Sequence, residues 1–225
     1  MSIFKKSPKK KIFQCKRDEL IIRGTEYRFD KDNLPIVILS HGFMANQSTV
    51  KRYAIELAKE GYAAFTFDFC GGCVIGKSDG KTSDMTVFTE VKDLESVIEY
   101  AKSLPYTNEK DITLVGCSQG GFVSALVASK RAEEISNLIL FYPALCIPED
   151  ARNGNMLGTT FDPNNIPEIL KFGSIKIGKD YPASAAKIDA YKEIKKFTKD
   201  VLILHGTADS IVPLKYSKHA YNEYI

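Results

Sequence analysis

Short apolar runs alternate along this chain with amphipathic stretches of helical period, and this alternation limits the fold more than any other feature. The runs PIVILS (35–40), YAAFTFD (62–68) and NLILFYP (137–143) have the length and composition of buried strands. Residues 49–61 and 86–104 instead carry apolar side chains at helical spacing. Strands that alternate with helices predict an α/β fold, with a mostly parallel sheet covered by helices on both faces.

The two ends of the chain and one irregular segment complete the predicted architecture. Residues 11–29 favour an antiparallel hairpin at one edge of the sheet, and DVLILHG (200–206) favours a late strand. The segment at about 144–185 is irregular, with several Pro and Gly, and is interpreted as a small cap insertion. A polar helix is predicted next, near 186–197. We therefore predict a single domain over residues 1–225.

Composition and charge are those of an ordinary globular chain. Apolar residues make up 44% and charged residues 26%, and the net charge is +3. Much of this charge comes from the basic run KKSPKKK (5–11), which we interpret as a solvated N-terminus, with a nucleic-acid-binding arm as the alternative. No apolar run resembles a signal peptide or a membrane span. We expect a cytoplasmic protein without nucleic-acid or membrane partners.

The cysteines argue against disulfides and against a metal site. Five cysteines are an odd number in a chain of 225 residues, so reduced thiols are the simplest interpretation. Cys70 and Cys73 form a C-x-x-C pair, but a zinc site needs a second ligand pair at suitable spacing, which the sequence lacks. We expect neither a metal nor a cofactor.

The segment LVGCSQGGF contains the pattern G-x-S-x-G at Gly116, Ser118 and Gly120. It follows a predicted strand (111–116) and opens a predicted helix (120–130). This context favours a tight strand-to-helix turn that exposes the serine oxygen beside the positive end of the helix. Ser118 is therefore a candidate nucleophile. The alternative is a glycine-rich turn with a helix-capping serine.

A second loop, His41-Gly42-Phe43, follows the apolar strand 35–40. A loop in this position offers a backbone N–H to a developing oxyanion, and the residue after the nucleophile offers another. These donors would be Phe43 and Gln119, and one such donor contributes roughly 3 kcal/mol to transition-state binding. We expect His41 itself to be structural, holding the loop.

An acid and a base are needed to activate a serine hydroxyl. Asp209 follows the late strand, and the chain order of serine before acid is the one that this motif requires. His41 and His205 precede glycines at strand ends, where we expect structural roles. His219 lies only ten residues after Asp209, on a predicted helix, and is interpreted as a helix-surface residue. We expect the base to lie outside these 225 residues.

Four segments carry a family resemblance: IRGT (22–25), HGF (41–43), FTFDFCGGCVIGKSDG (65–80) and CSQGG (117–121). With them, the chain resembles the α/β-hydrolase superfamily over nearly its whole length. Within that superfamily it is most similar to bacterial feruloyl/cinnamoyl esterases. The resemblance implies an α/β-hydrolase fold and hydrolysis of an ester through a serine nucleophile.

The same resemblance implies a further strand, a histidine-bearing loop and a final helix after the acid, and these are not found here. Three explanations stay open: a longer chain, a truncated chain, or a hydrolase fold that lost catalysis and kept binding. Without the further strand, residues 200–206 would form an exposed sheet edge through which copies could associate into a homo-oligomer.

The predicted cap extends the resemblance, through EDARNGN (149–155) and DPNNIPE (162–168). In such esterases a cap aspartate and a cap tyrosine bind the phenolic hydroxyl of the substrate. The resemblance gives these roles to Asp150 and Tyr181. Leu157 stands where the family carries a glutamine. The alternatives are a helix-capping acid at Asp150 and a packing tyrosine at Tyr181.

Residues 71–78, GGCVIGKS, also satisfy the phosphate-loop pattern G-x-x-x-x-G-K-[ST]. A phosphate loop must run directly into a helix. Here Ser78 is followed by DGKTSD, and the next helix is predicted near Thr86. We keep nucleotide binding as an alternative and favour an ordinary loop.

The sequence therefore predicts a serine carboxylic-ester hydrolase that works through an acyl-enzyme, with hydroxycinnamoyl esters as the suggested small-molecule substrates. One alternative is a truncated or catalytically dead hydrolase fold that binds ligands. Another is a thioesterase or peptidase of the same fold. The predicted site residues are Ser118 and Asp209 for catalysis, Phe43 and Gln119 for the oxyanion, and Asp150 and Tyr181 for the substrate.

Overall fold

A computed structural model describes residues 7–224 of the chain. Its strands are β1 (Lys9–Arg17), β2 (Leu20–Arg28), β3 (Leu34–Ser40), β4 (Ala63–Phe67), β5 (Thr107–Cys117), β6 (Ile135–Phe141), β7 (Asn155–Met156), β8 (Thr159–Thr160), β9 (Ile169–Phe172), β10 (Ile175–Gly178) and β11 (Asp200–Leu204). Its helices are α1 (Lys51–Lys59), α2 (Val87–Lys102), α3 (Gln119–Lys130), α4 (Ile147–Arg152), α5 (Asp180–Ala185), α6 (Ala190–Ile194) and α7 (Lys215–Tyr224).

Seven of the strands form one sheet in the order β1-β2-β4-β3-β5-β6-β11. Strands β1 and β2 form an antiparallel hairpin, and β2 joins β4 in antiparallel orientation. All the remaining neighbours, from β4 to β11, are parallel. The predicted α/β fold is confirmed, with its mostly parallel sheet and its antiparallel hairpin at one edge.

Both faces of the sheet are buried, as the uninterrupted apolar strands predict. In β3, Ile36 and Ile38 point into one core cluster together with α2 and α3, whereas Val37 and Leu39 point into a second cluster with α1. All four side chains are fully buried. Alternate side chains of a strand point to opposite faces, so a strand covered on both sides must be apolar throughout.

One predicted helix is shorter than expected. The polar helix predicted near 186–197 is only α6, because the preceding turns continue from α5 and bury Ile188. Asp189 then caps α6 by accepting a hydrogen bond from the Lys192 N–H at 3.1 Å. Buried Phe197 ends the helix in a tight turn. Helical spacing alone missed both boundaries, since packing of the two apolar side chains decides them.

The segment predicted as a cap, about 144–185, contains α4, the small hairpins β7–β8 and β9–β10, and α5. These elements lie at the carboxyl end of the parallel strands, where ligands bind in open α/β sheets. At the edge of the sheet opposite the hairpin, β11 is an edge strand, and its side chains Leu202 and Leu204 are exposed on one face. Association of copies through this edge stays a prediction.

Among residues 7–224, no helix has both the length and the apolar character needed to cross a bilayer. The basic run 5–11 begins outside the described residues. A cytoplasmic location stays a prediction.

Replacement of Gly120 by Ala tests the close backbone contact between α3 and the end of β3. A Cβ at Gly120 would lie 2.2 Å from the carbonyl oxygen of His41 and 2.7 Å from that of Ser40. Because backbone atoms cannot move aside, we expect Gly120→Ala to cost about 3 kcal/mol or more, at the upper end of overpacking costs. Urea unfolding measures this change.

The control is Gly206→Ala, since a Cβ at Gly206 meets no atom within 4 Å. It should leave the free energy of unfolding nearly unchanged. Equal stability of the two variants would contradict the close approach of α3 to β3.

Candidate active site

Ser118 occupies a strained turn between β5 and α3. Its backbone has φ of 53° and ψ of −120°, a conformation that residues other than glycine rarely adopt. The turn is held by its own backbone, since the Ser118 N–H donates to the Phe141 carbonyl at 3.0 Å and its carbonyl accepts from Phe122 and Ala144. The half-buried Ser118 side chain is therefore presented at the carboxyl end of the sheet.

Small neighbours make this turn sterically feasible. A Cβ at Gly116 would lie 2.3 Å from the Gly120 carbonyl oxygen, so β5 and α3 can meet only with a glycine there. A Cβ at Gly42 would lie 3.1 Å from the Cβ of Ser118. The loop after β3 therefore packs directly against the serine.

The two predicted oxyanion donors flank Ser118. Phe43 follows Gly42 in the loop after β3, and Gln119 is the first residue of α3. Within residues 7–224, neither backbone N–H donates a hydrogen bond to another protein atom. Both groups are free to bind a developing negative charge.

A buried carboxylate holds the loop that contains Phe43. Asp68, at the end of β4, accepts hydrogen bonds from the Gln47 backbone N–H at 2.7 Å and from the Lys77 N–H at 2.8 Å. The Gln47 side chain adds a third bond at 3.2 Å. These bonds fasten the loop after β3 to the loop after β4.

His41 is used in the same way. Its Nε2 accepts from the Phe69 N–H at 3.2 Å, and its Nδ1 donates to the Gly42 carbonyl at 2.8 Å. Burial lowers the pKa of this imidazole, so the ring stays neutral at neutral pH. His41 thus has the structural role that the sequence predicts.

Asp209 lies in the loop after β11, and its own loop fixes its carboxylate. One oxygen, Oδ1, accepts from the backbone N–H groups of Ile211 and Val212, both at 2.9 Å. These bonds, that of Val212 first, lower the pKa of Asp209 below its usual value. The ionised acid keeps its other oxygen, Oδ2, for an additional partner.

None of the three histidines meets Ser118. His205 is 3.5 Å from Asp209 Oδ2, but its ring nitrogens already bond to the Val212 carbonyl and the Ser217 hydroxyl. His219 is half-exposed and stacks on Tyr191, with ring centroids 3.6 Å apart. Within residues 7–224, no imidazole forms a hydrogen bond with the Ser118 hydroxyl. The prediction that His219 is a helix-surface residue is confirmed.

A cavity of about 310 Å³ opens above Ser118. The strands β5 and β11 lie on either side of β6, so the loops after them are at the same end of the sheet, one strand apart. Ser210, in the loop after β11, lines the same cavity as Ser118. Most of the wall is apolar: Phe43, Ala144, Ile147, Met156, Leu157, Phe172, Ile177, Ile211 and Val212. A volume near the lower end of small-molecule sites, roughly 300–1,000 Å³, suits a compact ligand.

The predicted substrate residues Asp150 and Tyr181 both line this cavity. Burial, followed by the charge of Glu149, raises the pKa of the half-buried Asp150. The Tyr181 hydroxyl donates to the Oε1 of Gln119 and is nearly fully buried. Since its proton is used there, this oxygen can only accept from a ligand. Leu157 lies in the wall as well.

Sequence analysis missed Glu90, which lies behind the site. Its Oε2 accepts from the Gln119 Nε2 at 2.7 Å, and burial raises its pKa to about 8, with Asp93 adding to the rise and Gln119 opposing it. A signal was available in the sequence. Residue 90 falls on the buried stripe of α2 formed by Val87, Val91 and Leu94, where an acid is unexpected.

The phosphate-loop alternative is wrong. The Lys77 N–H binds Asp68, and the Ser78 hydroxyl donates to the Asp68 carbonyl while accepting from the Arg23 N–H at 2.8 Å. The helix α2 begins only at Val87. Without a helix directly after Ser78, this loop cannot cradle a phosphate. Among the described residues, no group of three or more His, Cys, Asp or Glu is placed to hold a metal ion.

The sheet order and the strained serine turn beside two free backbone N–H groups are those of an α/β-hydrolase. The model of a hydrolase family described as serine aminopeptidase, S33, matches residues 31–171, which is more than half of the chain. The chain belongs to this family.

Solved structures place the chain near esterases. Est1E from Butyrivibrio proteoclasticus, solved with ferulic acid bound, has a TM-score of 0.89 and 33% identity, covering 94% of this chain and 85% of that chain. A second structure of Est1E has a TM-score of 0.84 and 30% identity, covering 95% and 84%. The predicted resemblance to α/β-hydrolases of the feruloyl esterase type is confirmed.

A curated relative is more distant. An uncharacterized 31.7 kDa protein in the traX-finO intergenic region of Escherichia coli is 29% identical over 120 residues, which are 51% of this chain and 41% of that protein. The chain therefore spans less than half the length of this curated relative.

The strained backbone at Ser118 predicts that glycine is more stable than alanine at this position. We expect Ser118→Gly to be more stable than Ser118→Ala by about 1 kcal/mol, because relief of about 1–3 kcal/mol of strain exceeds the extra chain entropy of glycine, roughly 0.5–1 kcal/mol. Urea unfolding of the two variants measures the difference. Both lack the hydroxyl, so its loss cancels, and an alanine variant that is the more stable of the two would contradict the strained turn.

Proposed function

We propose that this protein is a serine carboxylic-ester hydrolase that works through an acyl-enzyme on Ser118. The observation that carries the proposal is the strained serine turn, which faces an apolar cavity between two free backbone N–H groups. The similarity to Est1E, solved with ferulic acid, supports hydroxycinnamoyl esters as the substrate class.

The proposed reaction assigns a role to each part of the site. The Ser118 oxygen attacks the ester carbonyl, and the N–H groups of Phe43 and Gln119 bind the oxyanion. The alcohol leaves, and water then releases the acid from the acyl-serine. Asp209 orients an imidazole that takes and returns the proton, and none of the three histidines supplies it.

That last point favours a second candidate, a hydrolase fold that binds an ester or acid without turnover. The two candidates differ in one measurement, the hydrolysis of methyl ferulate by the full gene product. A third candidate, a peptidase of the same fold, is favoured by the description of the family as serine aminopeptidase. Amino-acid anilides and acyl-CoA thioesters, assayed beside the ester, separate the peptidase and the thioesterase from the esterase.

We expect methyl ferulate to be hydrolysed faster than anilides or thioesters, and Ser118→Ala to abolish this turnover. The full gene product should also take up one equivalent of an organophosphonate, located at Ser118 by mass spectrometry. Ser124→Ala, in the same helix but buried away from the cavity, is the control. Equal slow action on all substrates, or turnover that survives Ser118→Ala, would overturn the esterase proposal.

Asp150 tests the substrate class. In the proposal, the Asp150 carboxylate accepts a hydrogen bond from the phenolic hydroxyl of a hydroxycinnamate. A hydrogen bond to a charged group contributes about 1.5–3 kcal/mol. Asp150→Ala should therefore lower kcat/KM for methyl ferulate by about tenfold or more while sparing methyl cinnamate, which lacks the hydroxyl. The exposed neighbour Glu149, changed to Ala, is the control. An equal loss for both esters would show that Asp150 supports the fold instead of the phenol.

A further inference from the structure

Behind the oxyanion site lies a buried acid that the proposed reaction does not use. Glu90, in the first turn of α2, is 1% exposed, and the two side chains that connect it to the cavity, Gln119 and Tyr181, are 2% and 3% exposed. Burial of a carboxyl group is costly unless hydrogen bonds offset the loss of water, so the partners of Glu90 indicate what it does.

The three side chains form a hydrogen-bond chain with a defined direction. The Gln119 Nε2 donates to Glu90 Oε2 at 2.7 Å, and the Tyr181 hydroxyl donates to Gln119 Oε1. An amide has one donating and one accepting end. With its Nε2 donating to Glu90, Gln119 turns its accepting end, Oε1, toward Tyr181, and the tyrosine hydroxyl donates to it.

This series of hydrogen bonds reaches both residues that hold the oxyanion in the proposed reaction. Gln119 supplies one backbone donor, and its side chain is the middle member of the hydrogen-bond series. The ring of Tyr181 packs against the ring of Phe43, the residue of the other donor, with centroids 6.1 Å apart. Tyr181 belongs to α5, so the chain also ties the cap to α2.

We propose that Glu90 is a positioning residue, which holds Gln119 and, through it, Tyr181 in the arrangement that the oxyanion site requires. This role rests on the proposed esterase function. Glu90 acts through Gln119 and does not touch the reacting atoms.

The charge state of Glu90 makes the proposed positioning role depend on pH. The groups that face it are Asp93 of the same helix, which pairs with Arg17 of β1, and Tyr181 of α5. Burial raises the pKa of Glu90 from the ordinary 4.5 to about 8, so it is protonated at neutral pH. Above that value, an ionised carboxylate beside the oxyanion site would oppose the developing negative charge, and turnover should fall.

The raised pKa of Glu90 also makes the free energy of unfolding depend on pH. Between pH 4.5 and about 8 the folded protein holds a proton on Glu90 that the unfolded chain has lost. The free energy of unfolding therefore decreases as pH rises through this window. Asp93, whose pKa burial raises to about 6, contributes in the same sense at lower pH. Glu90→Gln should remove the upper part of the decrease.

The test uses the full gene product with Glu90→Gln, Glu90→Ala and the control Glu99→Gln. Glu99 lies on the same helix in an exposed ion pair with Arg131. We expect Glu90→Ala to lower kcat about tenfold to a hundredfold with little change in KM, as for a displaced catalytic group. Glu90→Gln can still accept from Gln119, so it should keep most of kcat and lose the decline above about pH 8.

Two readouts are independent of activity. One is urea unfolding from about pH 5 to about pH 9, which reports the proton on Glu90. The other is the fluorine spectrum of protein labelled with 3-fluorotyrosine, in which Tyr181→Phe identifies the Tyr181 signal. That signal should move in Glu90→Ala and stay in place in Glu99→Gln.

The outcomes separate the two proposals. An unmoved Tyr181 signal in Glu90→Ala, or a kcat equal to that of the wild type, would overturn the positioning role. If Glu90→Ala does not fold, Glu90→Gln decides: retention of the wild-type decline in kcat above about pH 8 would overturn the role. A wild-type protein without hydrolysis would overturn the esterase proposal instead, and the Tyr181 signal would still decide whether Glu90 positions the cap.

Discussion

The structure depends on one close contact between backbones, where α3 begins against the ends of β3 and β5. Gly120 lies so near His41 that no side chain fits between them, and Gly116 meets the first turn of α3 in the same way. This contact bends the chain sharply at Ser118 and brings the loop of Phe43 beside it. The Ser118 hydroxyl and the backbone N–H groups of Phe43 and Gln119 are therefore placed by main-chain packing, which tolerates far less displacement than flexible side chains do.

Around this contact, buried polar groups are used to make the site rigid before any ligand arrives. Asp68 gathers three N–H donors from two loops, and neutral His41 joins the loop after β3 to that after β4. Each group is satisfied, so its burial costs little. These bonds exist without a ligand, so the loops need not rearrange when one binds.

Sequence patterns predicted the sheet because buried strands are apolar on both faces, as β3 illustrates. They predicted the tight turn at Ser118 because that turn needs glycines at positions 116 and 120. They could not predict the boundaries of α6, which the burial of Ile188 and Phe197 decides. Nor did they show what surrounds the predicted cap tyrosine, since the bond from Tyr181 to Gln119 joins residues 62 positions apart. Periodicity describes which face is buried, and it carries no information about which polar partners meet there.

The loop after β11 serves two purposes at once. Its backbone N–H groups at Ile211 and Val212 hold Asp209, while the same two residues form part of the cavity wall, with Ile211 largely exposed at the mouth. A substitution that reshapes the mouth for a different acyl group therefore also moves the hydrogen bonds that keep the acid ionised. If the proposed activity holds, a change of substrate preference along that wall is linked to a change in turnover, whereas substitutions in the cap can alter one without the other.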